Sequence, residues 1–256
     1  MLVFIYDKTW DGLLTAVFDA YNRRTFPDAL LEEGAILPLF CDETYMVITD
    51  EEKSGRVWRG LEKKLSASAL SGLAVCWLSE LPEVAMLLFN YIRKAIDTPQ
   101  SIELNFGDPD VLQLSKIWKQ VSNERLRVVQ FLRFQKTTDE TYFAPVEPLY
   151  NVLPLTLPHL QNRYAGQKWL IYDIKREYGY YYDREETREV RFEEKGEHLL
   201  TGIVGEELLD KDELLFQQLW KTYFKSIAIK ERINPRLHKQ HLPVRFWKYL
   251  TEKQGN

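Results

Sequence analysis

Basic residues, aromatics and helix stop signals crowd into one stretch, Phe224–Leu250, which reads FKSIAIKERINPRLHKQHLPVRFWKYL. From Lys221 to Leu250 eight basic residues stand against a single acid, Glu231, a local net of about +7 in a chain whose net charge is −4. Such a concentration of cations suits a polyanion or an acidic partner. Arg232, Arg236 and Arg245 supply charge, and Trp247, between Arg245 and Lys248, supplies a flat face. Single-stranded nucleic acid asks for that combination, cations for its backbone and aromatic faces for its bases. The competing reading is a solvated basic end balanced by acids elsewhere in the fold.

His159 and Arg163 lie one helical turn apart, so they share a face. That pair suits a phosphate, or equally an internal hydrogen-bonded pair. For acid–base chemistry the candidates are carboxylates in apolar surroundings, where burial raises a carboxyl pKa toward neutrality. Glu147 follows an expected strand, Asp173 lies within another, and Asp7 ends the first; each also has the ordinary reading of a capping or turn acid. Alternating tyrosines such as Tyr180 and Tyr182 read as core. His238 and His241 are spaced i, i+3 with no cysteine or acid close in sequence, so no metal site is expected. The chain carries no GxGxxG, no GxxxxGK[ST], no GxSxG and no CxxC, and no cofactor follows from it.

The totals bound the class. The chain has 256 residues, of which 45% are hydrophobic and 13% aromatic, enough for a sizeable core in one large domain or two small ones. Its acidic balance means that any nucleic-acid contact must be a patch rather than the whole surface. Cys41 and Cys76, far apart in apolar contexts, read as small buried hydrophobes in a reducing compartment. The N-terminus has no basic lead before an apolar run, and no stretch approaches the ~20 apolar residues that span a bilayer. No membrane association and a cytoplasmic location are the expectations.

The elements that must position these residues read as follows. Leu2–Tyr6 is a buried strand, and Asp11 caps the helix after it. Ala35–Phe40 and Tyr45–Thr49 read as strands, Glu51–Leu65 as a helix, and Ser66–Ile96 as mostly helical with a break near Ser79–Pro82. Asp108–Pro109 starts a long helix, a capping acid before a proline suited to the first helical position. Near its end Glu124, Arg125 and Arg127 read as a solvated ion-paired surface. Phe131–Gln135 with Thr141–Val146, and Trp169–Ile174 with Gly179–Tyr182, read as hairpins, separated by a short helix around Pro158–Ala165. Val190 and Phe192 allow one edge strand. Asp210–Ala228 reads as an amphipathic helix with Leu215, Phe216, Leu219, Trp220, Tyr223, Phe224 and Ile227 inward. Asn234–Pro235 and Pro243 start two short helices. The fold class is α+β, with a mixed, largely antiparallel sheet flanked by helices. The linker near Thr98–Pro99 divides an N-terminal region, 1–98, from a C-terminal one, 99–256.

Three stretches together resemble an uncharacterised bacterial family described as a probable DNA metabolism protein. They are YDKTWDGLLTAVFDAY (Tyr6–Tyr21), FLRFQKTTDETYFAPVEPLYNVLPLTLPHLQNRYAGQKWLIYD (Phe131–Asp173) and LWKTYFKSIAIKERINPRLHKQHLPVRFWKYLTE (Leu219–Glu252). The resemblance implies a two-gene setting with a radical S-adenosylmethionine (radical SAM) protein that modifies or repairs DNA. It also implies relatives fused to a uracil-DNA glycosylase-like module, which this chain, ending soon after the third stretch, is expected to lack. The family pattern falls on Arg133, Pro158, His159, Arg163, Arg232, Asn234, Pro235, Pro243, Arg245 and Trp247; His238 and His241 lie outside it.

The function expected is therefore an accessory in DNA modification or repair. It would bind DNA, or dock on a radical SAM or uracil-DNA glycosylase-like partner, through Arg232, Arg236, Arg245 and Trp247, with His159 and Arg163 on phosphate. The alternatives are an enzyme acting on a nucleobase or nucleotide through Glu147, Asp173 or His159, and a protein–protein adaptor without a site.

Overall fold

The computed structural model describes residues 1–193, 196, 201, 204–227 and 234–253. The class is α+β, and the chain forms two compact units, Met1–Ser122 and Asn123–Asn256. Their division falls inside a long helix rather than at the 98/99 linker.

In the first unit β1 (Leu2–Tyr6) is the middle strand of a three-stranded parallel sheet, between β2 (Ala29–Glu32) and β3 (Glu43–Met46). Val3 and Phe4 are completely buried, as a central strand covered by helices requires. Helix α1 (Trp10–Arg23) follows β1, and its N-cap is Thr9, whose hydroxyl accepts from the Gly12 amide at 2.9 Å. Asp11, the expected cap, sits inside the first turn and accepts instead from the Ser54 hydroxyl at 2.8 Å. Asp7 accepts from the Thr9 amide and hydroxyl and from the Thr49 hydroxyl at 2.7–3.0 Å. Burial pushes its carboxyl up, but these donors outweigh it and leave the pKa lowered, so Asp7 stands as a charged loop anchor.

The expected strand Ala35–Phe40 is a loop, with Ile36, Leu39 and Phe40 exposed. β1 is flanked instead by β2, before this run, and by β3, after it, which ends before Thr49. Helices α2 (Glu51–Glu62), α3 (Ala67–Trp77), α4 (Val84–Asp97) and the first half of α5 (Pro109–Phe131) complete the unit. Asp108 caps α5, accepting from the Asp110 amide at 2.8 Å and bonding Lys94. Cys76 is buried and its thiol is pushed up to about 12 by burial, which keeps it unreactive; Cys41, expected inside, is half-exposed.

The second unit is built on a five-stranded sheet of order β4-β5-β6-β7-β8: β4 (Gln135–Lys136), β5 (Tyr142–Val146), β6 (Trp169–Asp173), β7 (Tyr178–Tyr182) and β8 (Thr187–Val190). Three of its four pairings are antiparallel. The exception is β5 with β6, which run parallel in register Val146↔Asp173. A parallel pair needs a crossover, and α6 (Leu153–Arg163) supplies it, starting five residues before the expected Pro158 because Pro154 is accommodated in its first turn. Phe131 belongs to the end of α5, not to a strand, so the first hairpin is only two residues deep on its β4 side.

Helix α7 (Glu213–Ser226) forms as its periodicity predicts, but none of its residues is buried. Leu215, Phe216, Leu219 and Tyr223, expected inward, are each more than half exposed, as is Ile227 just beyond the helix end. Among the described residues its main packing partner is the short 3₁₀ turn Thr251–Lys253, which is too small to cover a four-turn stripe. After it come α8 (Pro235–His241), capped by Asn234 onto the Leu237 amide at 3.1 Å, and a 3₁₀ helix, Val244–Tyr249, entered through Pro243. Among the described residues no helix is long and apolar enough to cross a membrane.

Candidate functional site: a basic and aromatic C-terminal surface

The 3₁₀ helix Val244–Tyr249 organises the site. Three residues per turn place side chains at i and i+3 on one line, so Arg245 and Lys248 eclipse each other, and Trp247 points about 120° away. Each face opens on its own cavity within the second unit.

On the Arg245 side a pocket of about 440 Å³ is lined by Glu147, Leu149, Lys175, Arg245 and Lys248. It lies at the carboxyl ends of β5 and β6, where a parallel pair commonly leaves room for a ligand. Glu147 pairs with Lys248 and accepts from the Tyr249 hydroxyl at 3.2 Å. The Lys248 hydrogen bond leads the causes that hold its carboxyl below the usual range. Glu147 is thus a committed anion, unsuited to donate a proton near neutrality. Burial beside Glu147 drives the Tyr249 hydroxyl far up, so it stays protonated.

Arg245, expected at a solvent-facing surface, is bound to Glu124. Glu124 was expected at a solvated surface and is completely buried. It accepts from the Leu149 amide at 2.9 Å and also faces Arg127 at 3.4 Å. One carboxylate shared by two guanidinium groups leaves a positive excess beneath the pocket.

Asp173 is also completely buried. It accepts from the Lys175 and Arg176 amides at 2.9 and 3.1 Å and from the Arg176 guanidinium at 2.8 Å. Burial raises its pKa, with Arg176 opposing. Arg176 also donates to the Pro148 and Leu149 carbonyls at 3.2 and 3.1 Å, so Asp173 and Arg176 clamp the β6–β7 turn onto the β5–α6 loop.

On the Trp247 side a cleft of roughly 870 Å³ lies between the end of α5, α7, α8 and the 3₁₀ helices. Phe131, Phe224 and Trp247 give it aromatic walls; Lys239 and Lys253 give it positive charge, while Arg133 in the same wall is paired with Glu252. The Trp247 indole is fixed by its N–H, which donates to the Leu242 carbonyl at 3.1 Å, and by the His238 ring packed edge-on at 5.7 Å. The Lys253 ammonium lies 5.0 Å from the Trp247 ring centroid. Burial pushes the His238 pKa down, with Lys253 acting in the same direction, so its imidazole is neutral at pH 7.

Of the residues singled out from sequence, Glu147, Arg245 and Trp247 therefore cluster around one short helix. Arg236 is exposed on α8, and Arg232 lies outside the described residues. His159 and Arg163 are exposed on α6 and line neither cavity. Glu147 and Asp173 end neighbouring strands, but His159 does not join them. Arg133 carries no site signal in the sequence beyond the family pattern, and the i, i+3 spacing of His238 and His241 points only toward a metal. Among the described residues no three His, Cys, Asp or Glu side chains converge as a metal would need.

Fold and site together define an α+β protein whose C-terminal unit carries a basic, aromatic cleft beside a cationic pocket. The chain belongs to the family described as Domain of unknown function (DUF4130), whose model matches residues 82–252. No curated protein sequence matches it. Among solved structures a pGpG-specific phosphodiesterase, PggH from Vibrio cholerae, aligns over 89% of this chain and 98% of its own at 10% identity, with a TM-score of 0.29; at that score the likeness carries no argument.

Proposed function

We propose that the C-terminal unit is a nucleic-acid-binding module that serves DNA modification or repair. The observation that carries this reading is the split presentation by Val244–Tyr249. Arg245 and Lys248 face a cationic pocket that suits phosphate, while Trp247 faces an aromatic cleft that suits bases. Lys175, Lys239 and Lys253 extend the positive charge on both sides. Arg236, His159 and Arg163 are exposed outside both cavities and are offered as further contacts for backbone phosphate. The resemblance noted from sequence supplies DNA as the polymer and a radical SAM protein, with a uracil-DNA glycosylase-like protein, as the enzymes this module serves.

The test is binding of a labelled single-stranded oligodeoxynucleotide over a salt series. Displaced counterions drive such binding, so log K falls linearly with log salt, by about 0.7 per phosphate neutralised. Affinity that is undetectable at low salt, or indifferent to salt, overturns the reading. The enzymatic alternative through Glu147, Asp173 and His159 gains no support from the geometry, since Glu147 is ion-paired, Asp173 is clamped by Arg176 and His159 faces solvent.

A further inference from the structure

We infer that the loop of residues 33–42 in the first unit, with the sheet face beside it, is a docking surface for a basic amphipathic helix of a partner protein. It belongs to the first unit and does not depend on the nucleic-acid reading above. β1 lies between β2 and β3, so the connection from β2 to β3 must cross it. That connection leaves one end of β1, where the Glu33 amide donates to the Tyr6 carbonyl at 2.8 Å, and reaches the other, where the Asp42 amide donates to the Met1 carbonyl at 3.0 Å. Parallel crossovers are right-handed, and two that step in opposite directions along a sheet use opposite faces. α1 takes one face, on which Tyr45 packs against Phe4 and its hydroxyl donates to Asp19 at 3.0 Å. The second crossover takes the other, which by register and alternation carries Ile5, Leu31 and Met46.

A helix usually makes such a crossover and covers the sheet, because a parallel sheet is apolar on both faces. Here an irregular loop makes it instead. Val3 is buried, but Ile5 and Leu31 are only partly so and Met46 is half exposed. Ile36, Leu39 and Phe40 in the loop and Ile48 beyond β3 are 78–97% exposed. At about 200 Å² for a large side chain, these four present on the order of 700 Å² of apolar surface, above the roughly 300–600 Å² of the largest patch on an ordinary monomer. A helix is the layer this crossover lacks, so a helix is what fits it.

Charge selects whose helix it is. From Thr25 to Glu52 the chain has eight acids and no lysine, arginine or histidine. Glu32, Glu33, Asp42 and Glu43, all exposed, flank the loop at its two ends. Lys8, the terminal amine and Arg23 meet three of these four, which leaves the segment negative. A second copy would set the same acids against one another, and an anionic membrane would be repelled. Lysines or arginines beside an apolar helix face would be drawn in.

The experiment measures binding of the full-length protein to a labelled amphipathic peptide with leucines on one face flanked by lysines, by anisotropy at low salt. A counterpart with glutamates in place of the lysines is expected to bind several-fold more weakly. Leu39→Ser and Phe40→Ser are each expected to weaken binding of the lysine peptide by about tenfold, the scale of burying one large apolar side chain. Both side chains are exposed, so Tm should not change. Leu219→Ser, on the exposed stripe of α7, is expected to leave binding as it was. No binding of the lysine peptide, equal binding of the two peptides, or a loss in Leu219→Ser alone overturns the inference. Self-association in ultracentrifugation that Phe40→Ser abolishes overturns the choice of partner in favour of a second copy. Oligonucleotide binding is a separate measurement, so this inference and the proposed function fail independently.

Discussion

Arg133 and Glu252, 119 positions apart in the chain, meet with Nη2 2.7 Å from Oε1, and the other Glu252 oxygen accepts from the Trp220 indole at 3.0 Å. This contact ties the end of α5 to the C-terminal 3₁₀ turn and to α7, so it closes the wall of the cleft. Burial alone would raise the Glu252 carboxyl, but the hydrogen bond from Arg133 leads the opposing causes and the net shift is downward.

A lowered folded pKa fixes the sign of the pH dependence. The stabilisation from Glu252 is fully present above the unfolded carboxyl value of about 4.3 and is lost as pH falls through the folded value. Glu252→Gln is expected to destabilise the protein at pH 7 by roughly 3 kcal/mol, as breaking a buried ion pair does. The deficit should shrink toward acid pH, where wild-type Glu252 is itself protonated. Urea unfolding at pH 7 and at about pH 3, well below the unfolded value, checks both; a deficit that is the same at the two pH values refutes the assignment.

Glu124 makes a sharper case, because it is completely buried and faces both Arg245 and Arg127. Glu124→Leu strands both guanidinium groups and the Leu149 amide, and a loss of about 3–5 kcal/mol is expected. Glu124→Gln keeps an acceptor for the amide and should cost less. Thermal unfolding of the two variants ranks them; the reverse order would mean that packing, not charge, dominates at this site.

Lys175 lines the cationic pocket, is exposed and can be removed with little effect on the fold. Lys175→Ala is expected to leave Tm within about 2 °C, since exposed substitutions change stability by less than ~0.5 kcal/mol. It should make the salt slope of oligonucleotide binding shallower by about 0.7, one phosphate contact on a single strand. An unchanged slope would remove this pocket from the binding surface.

Gly179 sits on β7 opposite Tyr172, and a Cβ there would collide with the Ile171 carbonyl oxygen and come within 2.9 Å of the Tyr172 ring. Both are parts of the neighbouring strand, so β6 and β7 would have to separate. Gly179→Ala should therefore destabilise by roughly 2 kcal/mol or more, the cost of overpacking, where an ordinary strand glycine would gain from alanine. Chemical denaturation settles the sign.

Local punctuation was legible in the chain itself. Asp108–Pro109 starts α5 and Asn234–Pro235 starts α8, because a cap bonds an amide two or three residues on and needs nothing distant. The apolar runs of β1, β6 and β7 were legible for the same reason. The cap of α1 was misread because Asp11 and Thr9 are both capping types, and only the backbone path from β1, extended at Thr9, selects between them. The strand expected at Ala35–Phe40 does not form because an apolar run records hydrophobicity but not a partner, and the two places beside β1 are filled by β2 and β3.

The amino-acid order thus determined where α5 and α8 begin, that β1, β6 and β7 are buried strands, and that cations and aromatics crowd the C-terminal end. Tertiary structure decided what those cations do. It sank Glu124 beneath Arg245, set Glu147 against Lys248, and tied Arg133 to Glu252. The physical reason is range. Caps and periodicity act over a few residues, whereas desolvation and pairing between groups more than a hundred positions apart exist only once the chain has packed.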